Sequence, residues 1–242
     1  MELRICKNPD ELGKSAAAHT AAVLREVIAK KGYARIALST GASQFDTIKH
    51  LVTEDVDWSK VEMFHLDEYV DLPETHPASF RKYLKERFVD KVGNLKKAHF
   101  VDGTEEGIKK LTEEIRELPI DIGLIGIGEN AHIAFNDPPA NFETKEAYHI
   151  VELDEKCRKQ QLGEGWFPTF DDVPKKAVSM TVYQIMQCER IVSCVPYPVK
   201  AWAIEKTVHT EELTNMIPST MLKTHKDLII YADMDSAKDI LK

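Results

Sequence analysis

Four short stretches of this sequence hold residue types that move protons or grip anions. GIGENAHIAFNDP (126–138) brings two glycines, Asn130, His132 and Asp137 close behind an apolar run. A histidine titrates near neutral pH and serves as acid or base, and Asp137, five residues on, is placed to orient it. A satisfied structural histidine accounts for the same residues about equally well. In FHLDEY (64–69), Asp67 and Glu68 follow an apolar strand directly. A carboxylate in such a place is partly desolvated, which raises its pKa and suits it to proton transfer; capping a helix or turn is the other use. STGAS (39–43) offers the hydroxyls of Thr40 and Ser43 and, through Gly41, a close backbone approach. The next residues open a helix, whose first N–H groups favour an anion; an ordinary strand-to-helix turn has the same composition. It is neither a Walker loop nor a GxGxxG fingerprint. In PYPVK (196–200), Lys200 falls near a helix start, where the helix dipole does not favour a cation. It therefore either meets an anionic ligand or is solvated. Taken together, the four stretches point to a small anionic, phosphorylated substrate handled by an aspartate and a histidine.

The elements that must position them follow from periodicity. Apolar strand-like runs alternate with helical patterns, which predicts an α/β fold with a mainly parallel sheet. Strands are expected at 2–6, 34–39, 61–66, 97–101, 120–128, 177–181, 190–196 and 228–233, the run IDIGLIGIG (120–128) being the strongest buried-strand signal. Asn8, Pro9 and Gly32 predict the cap, first position and end of a long helix. Phe80, Leu84 and Phe88 share one face of an amphipathic segment at 78–92, and Thr104 can cap the helix after it. Ligands of open α/β sheets bind beyond the carboxyl ends of strands, which is where all four stretches lie.

Composition narrows the function classes. The chain has 242 residues, enough for one sizeable core, and no composition shift marks a boundary, so residues 1–242 are expected to form a single domain. The formal net charge of −8 argues against nucleic acid as partner, because phosphate backbones call for clustered Lys and Arg. No apolar run approaches a membrane span, and MELRICKNPDELGKS lacks the basic and apolar regions of a signal peptide. The expectation is a cytoplasmic protein that avoids membranes. Cys6, Cys157, Cys188 and Cys194 form no CxxC pair and are expected to be reduced, mostly buried thiols.

The four stretches together resemble the glucosamine-6-phosphate deaminase/isomerase family. FHLDEYVDLPETHPASF and GIGENAHIAFNDP are the specific signals, STGAS is a weaker form of the family's TGG-type loop, and DDVPKKAVSMTV looks like its segment before a late strand. The similarity runs over nearly the whole chain. It implies a modified Rossmann-like, three-layer α/β/α sandwich. It further implies conversion of glucosamine 6-phosphate and water into fructose 6-phosphate and ammonia, with no metal or organic cofactor. On this resemblance Asp67 takes the C2 proton and returns it at C1, and His132 helps open the pyranose ring. Asp137 stands where the family has a supporting glutamate, and Asn130 stands where many members have aspartate. Thr40, Gly41, Ala42, Ser43, Glu68 and Lys200 would bind substrate, with Lys200 and the loop on the phosphate.

Several positions depart from the family pattern. The family's phosphate-binding arginine has no clear match in CRKQQLGEGWFPTF: Arg158 is too early, and Gln160 or Gln161 falls nearer. Glu129 adds a charge beside the relay. Trp166 or Phe167 is expected to line the pocket. Basic residues that some members use for allosteric activation are absent from PANFETKEAYH apart from Lys145, so regulation by an acetylated sugar phosphate is not expected, and a monomer or small homo-oligomer is. The alternatives are a 6-phosphogluconolactonase-type hydrolase, an isomerase of another sugar phosphate, and a non-catalytic sugar-phosphate sensor. DEY and HIAFNDP differ from the DER and GPDGHxAS-type motifs of the lactonases.

Overall fold

The strand ends that carry chemistry in the sequence become neighbours in one sheet. The structure, a computed structural model, describes residues 1–163 and 165–241. Its first half runs β1 (Glu2–Cys6), α1 (Pro9–Lys31), β2 (Ala34–Leu38), α2 (Phe45–Leu51), β3 (Val61–His65), β4 (Asp67–Tyr69), α3 (Phe80–Leu84), α4 (Asp90–Val92), β5 (Lys97–His99) and α5 (Glu105–Arg116). The second half runs β6 (Ile122–Leu124), β7 (Tyr148–Glu152), α6 (Glu155–Gly163), β8 (Lys176–Met180), α7 (Val182–Ile185), β9 (Ile191–Val195), α8 (Ala201–His209) and β10 (Leu228–Asp233).

Seven strands pair in the order β1-β10-β9-β6-β2-β3-β5, all parallel. Alternate residues of each strand face opposite layers. In β10, Leu228, Ile230 and Ala232 belong to the same apolar layer as Leu111, Ile115 and Ile204 of α5 and α8. Ile229 and Tyr231 pack on the other face with Leu12, Ala16, Leu24 and Ile48 of α1 and α2. Helices cover both faces, so the strands read as continuous apolar runs. The three-layer α/β/α sandwich is the expected architecture.

Local signals act where they were read. Asn8 Oδ1 accepts the Glu11 N–H at 2.9 Å, and Gly32 ends α1 at φ 80° with its N–H on Ile28 O at 2.8 Å. Thr104 Oγ1 accepts the Gly107 N–H at 2.9 Å to start α5. The four cysteines are buried free thiols.

Two expectations need correction. The buried strand expected at 120–128 is paired only over Ile122–Leu124. Ile125 N–H still reaches Val192 O at 3.0 Å, but the Gly126 N–H turns to Ser39 Oγ at 2.8 Å, so the apolar run ends as a turn inside the core. The segment 78–92 is not one regular helix: α3 starts at Phe80, capped by Ser79, and Lys85–Val89 widens into a π turn before α4. Beyond both, the strand expected at 177–181 forms as β8 but pairs in a separate antiparallel sheet, β4-β8-β7, whose other two strands have no counterpart of their own in the sequence reading. The chain leaves β3 at Leu66, whose carbonyl accepts the Met180 N–H at 2.7 Å, and at once joins β8. That change of sheet is what lifts Asp67 off the main sheet.

Candidate active site

The carboxyl ends of β9, β6, β2 and β3 lie side by side, because these four strands are consecutive in the sheet. Neighbouring strands are about 4.8 Å apart, so four of them span roughly the length of a small sugar phosphate. One cavity opens at this edge. Thr40, Gly41, Ala42 and Ser43 line it from the end of β2, Asp67 from β4, Gly126 to Glu129 and His132 from the loop after β6, and Lys200 from the start of α8. Phe80, Ala134 and Phe135 give it an apolar wall.

Asp67 is 7% exposed and pairs with Ser179 in the β4–β8 ladder. Burial, with smaller contributions from the charges of Glu68 and Asp137, pushes its carboxyl up to about 8. Ser179 also ties this strand to the histidine loop, since its Oγ accepts the Phe135 N–H at 3.0 Å.

His132 sits in a loop pinned from several sides. The Gly128 N–H donates to His132 O at 2.8 Å, and the Ser219 N–H donates to Ala131 O at 2.9 Å. Asn136 Nδ2 donates to Ile133 O and Met180 O. Ala131 and Ala134 bracket the histidine with φ of 66° and 48°, left-handed conformations that cost energy outside glycine and concentrate at functional sites. Gly128 is required by contact: a Cβ there would lie 2.2 Å from His132 Nε2.

Behind His132, its Nδ1 lies 2.9 Å from Asp137 Oδ1, close but outside aligned hydrogen-bond geometry. Asn130 Nδ2 donates to the same oxygen at 2.8 Å, and Asn130 Oδ1 accepts the His132 N–H at 3.2 Å. Burial pushes the Asp137 carboxyl up, but His132, Asn130 and the Cys157 thiol outweigh it and hold it down at about 2. Asp137 and Asn130 thus support the histidine from behind and do not line the cavity.

The loop Thr40–Ser43 and Lys200 also line the cavity. Gly41 adopts φ 94°, and its carbonyl accepts from Tyr83 OH at 3.1 Å. Gln44 Nε2 donates to Ser43 Oγ at 3.0 Å and to Cys194 O at 3.1 Å, fixing the loop to β9. Lys200 is 9% exposed and lines the same cavity.

Glu68 is elsewhere. Completely buried, it accepts from the N–H groups of Tyr69, Phe80 and Arg81, from Ser79 Oγ at 2.8 Å and from Arg81 Nε at 3.2 Å. Its carboxylate is used up at the start of α3, where the helix favours negative charge. This corrects the expectation that it binds substrate.

Arg158, read as too early in the sequence, is absent from the cavity: its guanidinium donates to Val173 O and Phe170 O and lies 4.1 Å from the Phe170 ring centre. Gln160 and Gln161, which fall nearer the arginine position, line the cavity, and Gln161 Oε1 accepts from Tyr69 OH at 2.6 Å. One further expectation shifts. Neither Trp166 nor Phe167 lines the cavity. Phe167 is buried against Tyr69, and Trp166 borders an adjoining hollow with Gly41, Phe80 and Tyr83. Sequence reasoning missed Phe80, Phe135 and Tyr197 as cavity residues. Phe135 lay within the histidine stretch, but an apolar side chain there carries no signal that separates wall from core.

A family model described as glucosamine-6-phosphate isomerases/6-phosphogluconolactonase matches residues 7–230. The chain belongs to this family. A glucosamine-6-phosphate deaminase of Staphylococcus epidermidis (strain ATCC 12228) is 35% identical over 237 residues, covering 93% of this chain and 96% of the relative. The solved structure of a monomeric glucosamine-6-phosphate deaminase superposes with a TM-score of 0.86 at 28% identity, over 98% of this chain and 99% of that one. A 6-phosphogluconolactonase from Shewanella baltica OS155 superposes with a TM-score of 0.77 at 17% identity, over 96% and 97% of the two chains, a likeness of fold alone. Within this family fold, Asp67, His132, Thr40–Ser43 and Lys200 line one cavity. Among the described residues no helix is long and apolar enough to cross a membrane.

Proposed function

We propose that this chain is a glucosamine-6-phosphate deaminase, converting glucosamine 6-phosphate and water into fructose 6-phosphate and ammonia. One observation carries the reading: a poised carboxyl (Asp67), a carboxylate-backed imidazole (His132) and an anion-holding end (Thr40–Ser43 with Lys200) line a single cavity. Relatives named glucosamine-6-phosphate deaminase, at 34–35% identity over nearly the full chain, support it over the lactonase alternative.

The phosphate would sit against the Thr40–Ser43 loop and Lys200, leaving the sugar to extend toward His132 and Asp67. His132, backed by Asp137, would move a proton between the ring and anomeric oxygens to open the pyranose. Asp67 would take the proton from C2 and deliver it to C1, giving a C2 imine. Water adds to that carbon, its oxygen becomes the ketone, and the C2–N bond breaks to release ammonia. These steps are proton transfers, addition of water and loss of ammonia, with no net oxidation or reduction, and call on no metal or organic cofactor. General acid–base help is worth about 10²–10⁴-fold per step. The substrate ammonium, entering beside Asp67, lowers that carboxyl's pKa and makes it available as base.

We take residues 1–242 as one catalytic unit, acting in the cytoplasm as a monomer or small homo-oligomer; light scattering checks the assembly. The deciding assay is release of ammonia from glucosamine 6-phosphate with equimolar ketose phosphate. Exchange of the C2 hydrogen with solvent and no ammonia would point to an isomerase instead. Tight ketose-phosphate binding with no turnover would make the chain a sensor.

A further inference from the structure

Tyr197 occupies a backbone conformation that is almost the preserve of glycine, with φ 81° and ψ 149°. The surroundings hold it there. Pro198 restricts the preceding residue to an extended ψ. The Tyr197 N–H donates to Asp233 Oδ2 at 3.0 Å, and Asp233 Oδ1 is itself fixed by the Ser236 N–H at 2.7 Å. The turn carries Lys200 into the cavity, and the Lys200 N–H closes it on Tyr197 O at 3.0 Å. Glycine would make this turn without strain. A tyrosine kept there has a use for its ring.

The ring's position shows what that use is. Tyr197 lines the cavity at the end formed by Thr40–Ser43 and Lys200. Its phenol meets the carboxylate of Asp46 in the first turn of α2 and lies toward Tyr83, whose hydroxyl holds the Gly41 carbonyl. Burial and the nearby carboxylates of Asp46 and Asp233 raise the phenol above its ordinary range, so it stays neutral and can donate. The side chain therefore reaches from the end of β9 to the start of α2, and lines the cavity together with the Thr40–Ser43 loop that leads into that helix. We propose that Tyr197 is a specificity-determining cap on the anion end of the cavity, admitting a terminal phosphomonoester and excluding a phosphate that carries a second substituent. The inference rests on the phosphate-binding reading given above.

The test compares glucitol 6-phosphate, which has no carbonyl to isomerise, with its methyl phosphodiester. Both are titrated against the wild type, Tyr197→Ala and Tyr197→Gly. The cap predicts that the monoester-to-diester preference falls ~10-fold in both variants, the scale of selectivity that a single steric contact supplies. Tyr197→Gly should also melt above Tyr197→Ala, because only glycine accepts the turn; that order shows that the turn has survived in both. An unchanged preference in both variants overturns the cap and leaves the proposed reaction standing. A shifted preference in an enzyme that releases no ammonia upholds the cap and overturns the reaction. Failure of the wild type to bind either compound overturns both.

Discussion

His132 holds its Nδ1 2.9 Å from Oδ1 of Asp137, an oxygen that also receives the Asn130 amide at 2.8 Å. One carboxylate oxygen thus serves the imidazole and the residue that grips the imidazole's own backbone. Because the Asp137 carboxyl is held at about 2, it is charged throughout the pH range in which histidine titrates. That charge stabilises an imidazolium formed during ring opening. Asp137→Asn keeps the shape and removes the charge. Its kcat should fall about 10²-fold with KM close to wild type. A kcat near wild type would remove Asp137 from the mechanism.

Gly128 tests the same imidazole from the other side. A methyl group there would lie 2.2 Å from Nε2 and about as close to Cε1, a distance no contact tolerates. The ring is the part able to move, so Gly128→Ala should fold, with its melting temperature lowered only slightly, and lose at least ~10²-fold in kcat through misplacement of the acid–base group. Retained activity in this variant would mean that the imidazole does no proton transfer at this position.

Asp67 carries a pH signature in both rate and stability. As the base it must be ionised, so kcat/KM should rise with pH through about 8, the level to which burial pushes its carboxyl in the free protein. For stability the sign is opposite. The pKa is raised on folding, so this group's contribution is fully present below about 4 and is lost as pH rises through about 8. Asp67→Asn removes the charge that folding disfavours. The variant should release no ammonia and, at pH 9, should exceed the wild type in stability by on the order of 1–3 kcal/mol. A variant that unfolds at the same denaturant concentration as wild type at both pH 5 and pH 9 would mean that Asp67 is not desolvated.

Much of the site was readable before the structure, because each of its parts sits at a strand end and strand ends are marked by an apolar run meeting glycine or charge. His132, Asp67, Thr40–Ser43 and Lys200 were found this way, and the parallel order of β9, β6, β2 and β3 then brings them together. What was not readable depends on contacts between distant segments. The β4-β8-β7 sheet is made of strands of three and five residues, and DEY carries no alternation to announce it. Tyr197 between two prolines reads as a simple break, since its positive φ is imposed by Asp233, which lies thirty-six residues later. Arg158 was read as too early to reach the anion, with Gln160 or Gln161 nearer, but that the carbonyls of Val173 and Phe170 claim its guanidinium was not readable.

Glu68 and Asp67 are chain neighbours with opposite fates, and that contrast yields the last prediction. Asp67 faces the cavity, while every strong acceptor position of Glu68 is taken by Ser79, Arg81 and backbone N–H groups within the protein. A charge buried with its partner adds little net stability, but removing one member leaves the other unpaired at large cost. Glu68→Ala strands the Arg81 guanidinium, 15% exposed, and three or more donors around it. The variant should lose about 3–5 kcal/mol of stability, seen as a lower denaturation midpoint, while the fraction that folds keeps a KM close to wild type. A KM raised tenfold or more with stability intact would return Glu68 to the substrate. The expected result makes the second carboxylate of the DEY motif the anchor that sets the α3 start, and with it Phe80, against the cavity lined by the first.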